Sequence, residues 1–374
     1  MNLSLPEQKR YSRHLLLKEI GVAGQEKLKS ARVLVVGAGG LGCPVLQYLA
    51  ASGVGIMGVM DFDTVSASNL HRQILFNESD IGKSKASCVA EKLILSNSHI
   101  LVKAIEEKLT VKNIRKIFSE YDIVVDGTDN FITRYLINDA CMLLQKPYVF
   151  GSLYKFSGQV AVFNQLLPDG SRSANYRTVF PEPPSPGTVA DCAEVGVLGS
   201  VAGIVGTIQA TETLKLIVGI GSTLAGKLML IDALKPEFNL LEIPSQKGIV
   251  NDAPESWEAM ELFDYESFCK IKSTSNHIDF TVLEAIIESG NPVQIVDIRE
   301  DWEYEEDGGI STISIPLHAI NDMMNQLDPT IQTVVVCTTG NRSVLAVKIL
   351  KSAGFHNVVS LEGGLKSWQS QQKA

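Results

Sequence analysis

The chain has 374 residues, 45% of them hydrophobic and 20% charged, with a formal net charge of −9. That length exceeds what one core usually serves, so two domains are expected, and the composition excludes a disordered chain. The negative balance argues against a nucleic-acid binder, which needs a basic face to displace counterions from phosphates.

The charged N-terminus, Met1 to Leu17, lacks the apolar core of a signal peptide. Ala31 to Val36 is a β-branched run ending in glycines, Gly42 to Ser52 reads as a helix, and Ile56 to Met60 is a second strand ending at Asp61 and Asp63. Ser84 has the hydroxyl of an N-cap for a helix through Ser96. Tyr121 to Val125 is another strand, Asn130 caps a helix running toward Gln145, and strands follow at Tyr148 to Gly151 and Gln159 to Phe163. This alternation predicts an α/β, doubly wound parallel sheet.

Pro168 to Gly199 is rich in Pro, Gly, Ser and Asp, and a loop of that length inside a domain is usually functional or mobile. A helix (Val201 to Leu216) and two strands (Lys227 to Ile231, Phe238 to Ile243) close the first domain, residues 1–270. The most membrane-like stretch, Val195 to Gly221, is interrupted by Gln209, Glu212 and Lys215, so no membrane span is expected. Pro244 to Ser275 mixes linker-like sequence with an ordered-looking piece from Leu262 to Cys269. After a linker at 271–277, a fresh strand–helix pattern makes residues 278–374 a second, small α/β domain. Six cysteines (Cys43, Cys88, Cys141, Cys192, Cys269, Cys337) contain no C-x-x-C pair. That usage suits a reducing cytoplasm, where a special thiol is catalytic more often than bridged.

Gly37-Ala38-Gly39-Gly40-Leu41-Gly42 fits G-x-G-x-x-G between a strand and a helix. Its glycines let backbone approach phosphate oxygens at a partly positive helix N-terminus, a reading this context favours over glycines that serve only tight helix–sheet packing. Asp61 stands where an acidic side chain accepts a ribose hydroxyl. Ser68-Asn69-Leu70-His71-Arg72-Gln73 and Lys85 then add cations that a nicotinamide dinucleotide does not need and a triphosphate does. Asp126-Gly127-Thr128-Asp129-Asn130 ends a strand at the ligand-binding edge of such sheets, with Asp129 suited to Mg²⁺ and Asn130 to a phosphate or an attacking oxygen.

As an ordered set, with Gly82-Lys83-Ser84-Lys85, these stretches resemble the ubiquitin-activating superfamily, specifically its bacterial members that activate sulfur carriers for molybdopterin and thiamine synthesis. The resemblance covers roughly residues 1 to 270 and implies that Gly40, Asp61, Asn69, Arg72, Lys85 and Asp129 contact ATP or its Mg²⁺. Arg13 matches an arginine that reaches across a homodimer to the partner's phosphates. His71 lies inside the motif at a position where the family tolerates other residues, and is expected to pack. The implied activity is adenylation: a carrier carboxylate attacks the α-phosphate of ATP and expels pyrophosphate.

Cys192, in the long loop, resembles the family's loop cysteine, which attacks the adenylate or resolves a later persulfide. Cys337 follows the strand Val334-Val335-Val336 and leads through Thr338-Thr339-Gly340-Asn341-Arg342-Ser343 into a helix. Such a loop points N–H groups at the sulfur, and Arg342 is expected to add positive charge. Together with Ile295 to Tyr304 upstream and Leu361-Glu362-Gly363-Gly364 downstream, the loop resembles the rhodanese sulfurtransferases, over roughly residue 276 to the end. Tyrosine-phosphatase-like loops have one more residue between Cys and Arg, so the shorter loop favours a persulfide.

Two departures stand out. Family members commonly hold zinc with two C-x-x-C pairs, but the matching positions here are Asn175-Tyr176-Arg177-Thr178 and a cysteine-free stretch after Pro244. No zinc is expected, and other contacts must hold the crossover loop. The usual rhodanese Gly-His reads Gly308-Gly309.

The combined reading is a relay. The C-terminal glycine of a ubiquitin-like sulfur carrier ending in Gly-Gly is adenylated, and a Cys337 persulfide then attacks to begin thiocarboxylate formation. A cysteine desulfurase is a reasonable sulfur source, and a homodimer is implied by the family. The rivals are an NAD-dependent oxidoreductase, a scaffold that only docks carriers, and a modifier-activating enzyme with a Cys192 thioester.

Overall fold

Strand β1 (Arg32–Val36) shows how the first sheet is built: Val33 and Val35 enter one core, Leu34 and Val36 another, all at 4% exposure or less. A strand buried on both faces reads as a continuous apolar run and requires helices on both sides of its sheet. The structure is a computed structural model describing residues 3–184, 196–235, 237–243, 253–269, 277–303, 312–365 and 367–368. Its main division into two compact units falls after Cys269.

In the first unit β1 pairs in parallel with β2 (Ile56–Met60) on one side and β4 (Ile123–Asp126) on the other. β3 (Leu101–Ile105) flanks β2, and β5 (Tyr148–Tyr154) flanks β4. The chain builds outward from β1 in one direction, returns, and builds in the other. That reversal opens a crevice at the carboxyl ends of β1 and β4, where such sheets bind ligands.

The sheet departs from the all-parallel expectation beyond β5. β6 (Ser157–Phe163), β7 (Lys227–Asp232) and β8 (Glu237–Glu242) are antiparallel, in the order β3-β2-β1-β4-β5-β6-β7-β8. Only Lys155, at φ +54°, and Phe156 join β5 to β6, far too short for the crossover that a parallel pair needs. The helix Gly199–Val218 is long and apolar enough to cross a bilayer by length and composition alone. It packs instead on β5, β6 and the helix Gly42–Ala51, and two of its polar side chains reach backbone inside the unit. Gln209 donates to the Asp126 and Val149 carbonyls at 2.7 and 3.3 Å, and Glu212 accepts the Leu224 N–H at 2.7 Å.

The second unit is a five-stranded parallel sheet in the order β11-β10-β12-β13-β9, made of β9 (His277–Ile278), β10 (Val293–Asp297), β11 (Ile313–Ser314), β12 (Gln332–Val336) and β13 (Val358–Leu361). Val335 faces one core, Val334 and Val336 another. The chain is therefore α/β throughout, with helices covering both faces of each sheet.

Candidate active site

The glycines of the first crevice divide into two kinds. Gly37 has φ +93°, and a Cβ there would lie 2.7 Å from the Gly127 carbonyl oxygen. A Cβ on Gly42 would lie 1.9 Å from the Gly37 oxygen. Both positions are glycine because β1, β4 and the helix Gly42–Ala51 close on them. Gly39 and Gly40 are different: a Cβ would meet nothing nearer than Gln73 Nε2 at 3.7 Å at Gly39, and Ala202 Cβ at 3.2 Å and Arg72 Cγ at 3.4 Å at Gly40. Gly39 is thus open and Gly40 tight without a backbone clash, and bare backbone lies there beside a helix N-terminus, an arrangement suited to phosphate.

Asp61 braces this loop, accepting the Ala38 N–H at 2.8 Å through Oδ2 and the Asp63 N–H at 2.9 Å through Oδ1. Burial raises its pKa, with Lys85 opposing. Lys85 opens the helix Lys85–Ser96, which Ser84 caps, and is 6% exposed. Its ammonium lies 3.0 Å from Asp63 Oδ2, and Asp63 is half exposed, so the cation is held by a partner that solvent or phosphate can displace.

Arg72 donates through Nη1 to the Ser68 carbonyl at 3.0 Å and to His71 Nε2 at 2.7 Å. Desolvation and the adjacent guanidinium hold His71 below its ordinary pKa. His71 is exposed rather than packed, a correction to the sequence reading: the ring is Arg72's neighbour, not a core filler. Ser68 Oγ hydrogen-bonds Ser66 Oγ at 3.1 Å, the Asn69 carbonyl accepts the Arg72 and Gln73 N–H groups at 3.1 and 3.0 Å, and Leu70 is half-buried.

Asp129 and Asn130 are exposed at the end of β4, and Asn130 Oδ1 caps the helix Phe131–Leu143 by accepting the Thr133 N–H at 2.9 Å. Arg13 is exposed on the short helix Ser12–Leu15, without a hydrogen-bond or ion-pair partner among the described residues. Cys192 lies outside the described residues, as do Gly308 and Gly309.

Sequence reasoning missed three residues at this edge. Gln73, 4% exposed, faces Gly39 and leaves Oε1 without a partner. Asp126 is fully buried, with Oδ1 accepting the Thr128 N–H and hydroxyl at 2.9 and 2.7 Å and Oδ2 unpartnered; burial raises its pKa. Arg134 donates to the Thr128 carbonyl at 3.1 Å, with its guanidinium 5.6 and 5.5 Å from the Phe131 and Phe150 rings. Gln73 and Asp126 stood inside quoted motifs; Arg134, one helical turn past Asn130, had no local signal.

In the second unit Cys337 directly follows β12 and is fully buried. The Gly340 N–H donates to its sulfur at 3.2 Å, at the N-terminus of the helix Asn341–Ser352. Ser343 Oγ lies 3.7 Å from Sγ and donates to the Gly340 carbonyl at 2.7 Å, which ties the loop to its helix. A Cβ on Gly364 would sit 2.3 Å from the Cys337 oxygen and 2.6 Å from the Gly340 nitrogen, so the downstream glycine pair lies flat against the sulfur loop. Arg342 corrects the expectation of added positive charge: both carboxylate oxygens of Glu303 accept from it at 2.6 Å.

At 175–178 the donor set does not fit a zinc–thiolate site. Asn175 caps the short helix Tyr176–Val179, and Arg177 is buried against Asp139. No cluster of three His, Cys, Asp or Glu side chains suited to a metal occurs among the described residues.

The ThiF family model matches residues 11–249 and the rhodanese-like domain model residues 279–371. A Mycobacterium tuberculosis protein named probable adenylyltransferase/sulfurtransferase MoeZ is 42% identical over 99% of this chain and 95% of its own. A Culex quinquefasciatus protein named adenylyltransferase and sulfurtransferase MOCS3 is 40% identical over 96% of this chain and 86% of its own. The Thermus thermophilus sulfur carrier protein adenylyltransferase is 47% identical over 73% of this chain and 100% of its own. Among solved structures, Escherichia coli MccB with ATP is 25% identical with a TM-score of 0.54, covering 63% of this chain and 71% of that one. With its glycine crevice, its cations and a sulfur loop on a second unit, the chain belongs to the ThiF family and carries a rhodanese-like domain after it.

Proposed function

We propose that this chain adenylates the C-terminal glycine of a small ubiquitin-like sulfur carrier ending in Gly-Gly, then converts that carboxylate to a thiocarboxylate with sulfur held on Cys337. The observation that carries the reading is the open backbone at Gly39, with Arg72 against the neighbouring Gly40 and a buried lysine whose carboxylate partner is half exposed.

A carboxylate is a poor acyl donor because oxide is a poor leaving group. Its attack on the α-phosphate of ATP breaks the bond to pyrophosphate and gives an acyl-adenylate. Negative charge grows on the phosphate oxygens as that bond breaks. Arg72 and Lys85 offset it, Lys85 exchanging its Asp63 contact for phosphate. Asp61 holds the loop and accepts from the ribose, Asn69 and Asn130 line the nucleotide, and Asp129 would hold the Mg²⁺ that accompanies ATP, which would supply positive charge to the phosphates. Arg13 serves the partner's site in a homodimer.

The terminal sulfur of a Cys337 persulfide then attacks the activated carbonyl and releases AMP, leaving an acyl disulfide. The Cys192 thiolate attacks the Cys337 sulfur, the thiocarboxylate departs, and a Cys192–Cys337 disulfide remains for an external thiol to reduce. A cysteine desulfurase reloads Cys337, the fold holds without zinc, and the cytoplasmic product serves molybdopterin or thiamine synthesis.

The test is exchange of labelled pyrophosphate into ATP in the presence of a carrier ending in Gly-Gly. Exchange should require the carrier and fall about 100-fold or more in Lys85→Gln. Carrier-independent exchange, or an undiminished Lys85→Gln variant, counts against the reading.

A further inference from the structure

We infer that Glu303 selects the sulfur donor of the second unit: by covering the charge of Arg342 it disfavours a free dianion such as thiosulfate relative to sulfane sulfur carried on a thiol. This rests on the sulfurtransferase role proposed for Cys337. Nη1 and Nη2 of Arg342 donate to the two oxygens of Glu303, each at 2.6 Å, and Nη2 also donates to Thr338 Oγ1 at 3.1 Å, one residue from Cys337.

Glu303 is fixed in place. Its Oε2 accepts the Glu300 N–H at 2.9 Å, and its backbone carbonyl accepts from Arg299 at 3.2 Å. Arg299 is in turn clamped on Asp297 at 3.0 and 2.8 Å, with the two residues 4% and 1% exposed. Burial works against the Glu303 carboxylate, yet the Arg342 and Glu300 donors hold its pKa below the ordinary value. The Arg342 and Glu303 side chains are 17% and 15% exposed, a sheltered pair whose attraction water screens little. A neutralised pair presents a dipole, and its pull on an approaching anion is far weaker than that of a bare charge.

Both donors give the same product with no net redox change and no further reactant. The Cys337 thiolate attacks the outer sulfur, a new S–S bond forms and the donor's S–S bond breaks. Its electron pair leaves on sulfite from thiosulfate, or on a thiolate from a thiol persulfide. The donors differ in charge: thiosulfate brings two negative charges toward a thiolate, a persulfide at most one. An uncovered arginine would offset that repulsion, and a covered one does not.

The experiment uses the full chain with thiosulfate and with cysteine persulfide, whose ammonium and carboxylate cancel, cyanide as acceptor, and thiocyanate as the readout. The wild type should show the higher kcat/KM with the persulfide. Glu303→Gln should raise the thiosulfate-to-persulfide ratio of kcat/KM about tenfold or more, through a lower KM for thiosulfate that climbs with salt. A purely structural Glu303 would depress both donors together and leave the ratio unchanged, which overturns the inference. If Glu303→Gln does not fold, Glu303→Asp, which is too short to keep both contacts, must shift the ratio the same way, and no shift overturns it. Intact mass of the protein after each donor separates the two levels. Equal loading of Cys337 by both donors in the wild type overturns this inference alone; no added sulfur from either overturns the sulfurtransferase reading and this inference with it.

Discussion

Arg177 and Asp139 meet as a two-pronged ion pair, Nε to Oδ1 at 2.8 Å and Nη2 to Oδ2 at 2.7 Å, with side chains 1% and 0% exposed. Tyr265 adds its hydroxyl to the same carboxylate at 2.8 Å, and the Tyr135 and Phe268 rings lie 4.9 and 4.7 Å from the guanidinium. The pair thus joins three separate segments: the stretch after β6, the helix Phe131–Leu143, and the end of the first unit. Arg177 lies inside the 175–178 stretch, so an ion pair of side chains fastens that stretch to the helix Phe131–Leu143. Arg177→Ala or Asp139→Ala should cost about 3–5 kcal/mol in denaturant unfolding, because each leaves a buried charge without its partner. Replacing both with apolar residues should cost much less than the sum of the two single changes. A chelator should leave the Tm unmoved, and a chelator-induced fall in Tm would contradict this account of the staple.

Gly40 and Gly42 should respond differently to alanine. At Gly42 the new methyl would lie 1.9 Å from the Gly37 oxygen, a backbone atom, so Gly42→Ala should disrupt the first unit and lower its Tm markedly. At Gly40 the nearest atoms are Ala202 Cβ at 3.2 Å, which moves only with its helix, and the flexible Arg72 side chain at 3.4 Å, so the fit is tight but no backbone atom is struck. Gly40→Ala should therefore fold and raise the KM for ATP about tenfold or more by filling the phosphate cradle. Circular dichroism and pyrophosphate exchange on the two variants separate a packing glycine from a binding one.

Glu7, 4% exposed, supplies a pH-dependent tether for the N-terminal helices that carry Arg13. Burial pushes its carboxyl up, but Lys29 Nζ and the Ser4 N–H, at 2.9 and 2.8 Å, prevail and hold it at about 2 instead of 4.5. The folded value is the lower one, so the stabilisation is complete above 4.5 and is lost as pH falls toward 2. Glu7→Gln should cost about 1–3 kcal/mol at neutral pH. The difference between wild type and variant should shrink through that acid window, and a difference constant across it would contradict the assignment.

Much of this architecture was readable from local signals. Runs such as Ile56–Met60, buried at four of five positions, and the Ser84 cap announced their elements directly. β3 escaped notice because it is an edge strand that exposes Leu101 and Lys103 and so lacks a continuous apolar run. The helix Val111–Ser119 that follows it was also missed, although Thr110 and Asn113 form a capping box at its start. The glycine loop, Asp61 and Asp129 follow the carboxyl ends of β1, β2 and β4, yet the partners that decide the electrostatics there did not show. Asp63, rather than Asp61, holds Lys85, since only the fold decides which of two nearby acids meets a lysine 22 residues on. Arg177 finds Asp139 at a separation of 38 residues and Arg342 finds Glu303 at 39, distances at which no helical or strand spacing gives warning. Long-range ion pairs are set by topology, and sequence patterns report topology only through elements.

The most direct test of the central claim is intact mass spectrometry of a carrier ending in Gly-Gly after incubation with this chain, MgATP and a persulfide donor. The account predicts exchange of one carboxyl oxygen for sulfur, abolished in Lys85→Gln at the adenylation step and in Cys337→Ala at the sulfur step. Accumulation of carrier adenylate without sulfur in the wild type would contradict the role of the second unit, and an unmodified carrier would contradict the whole.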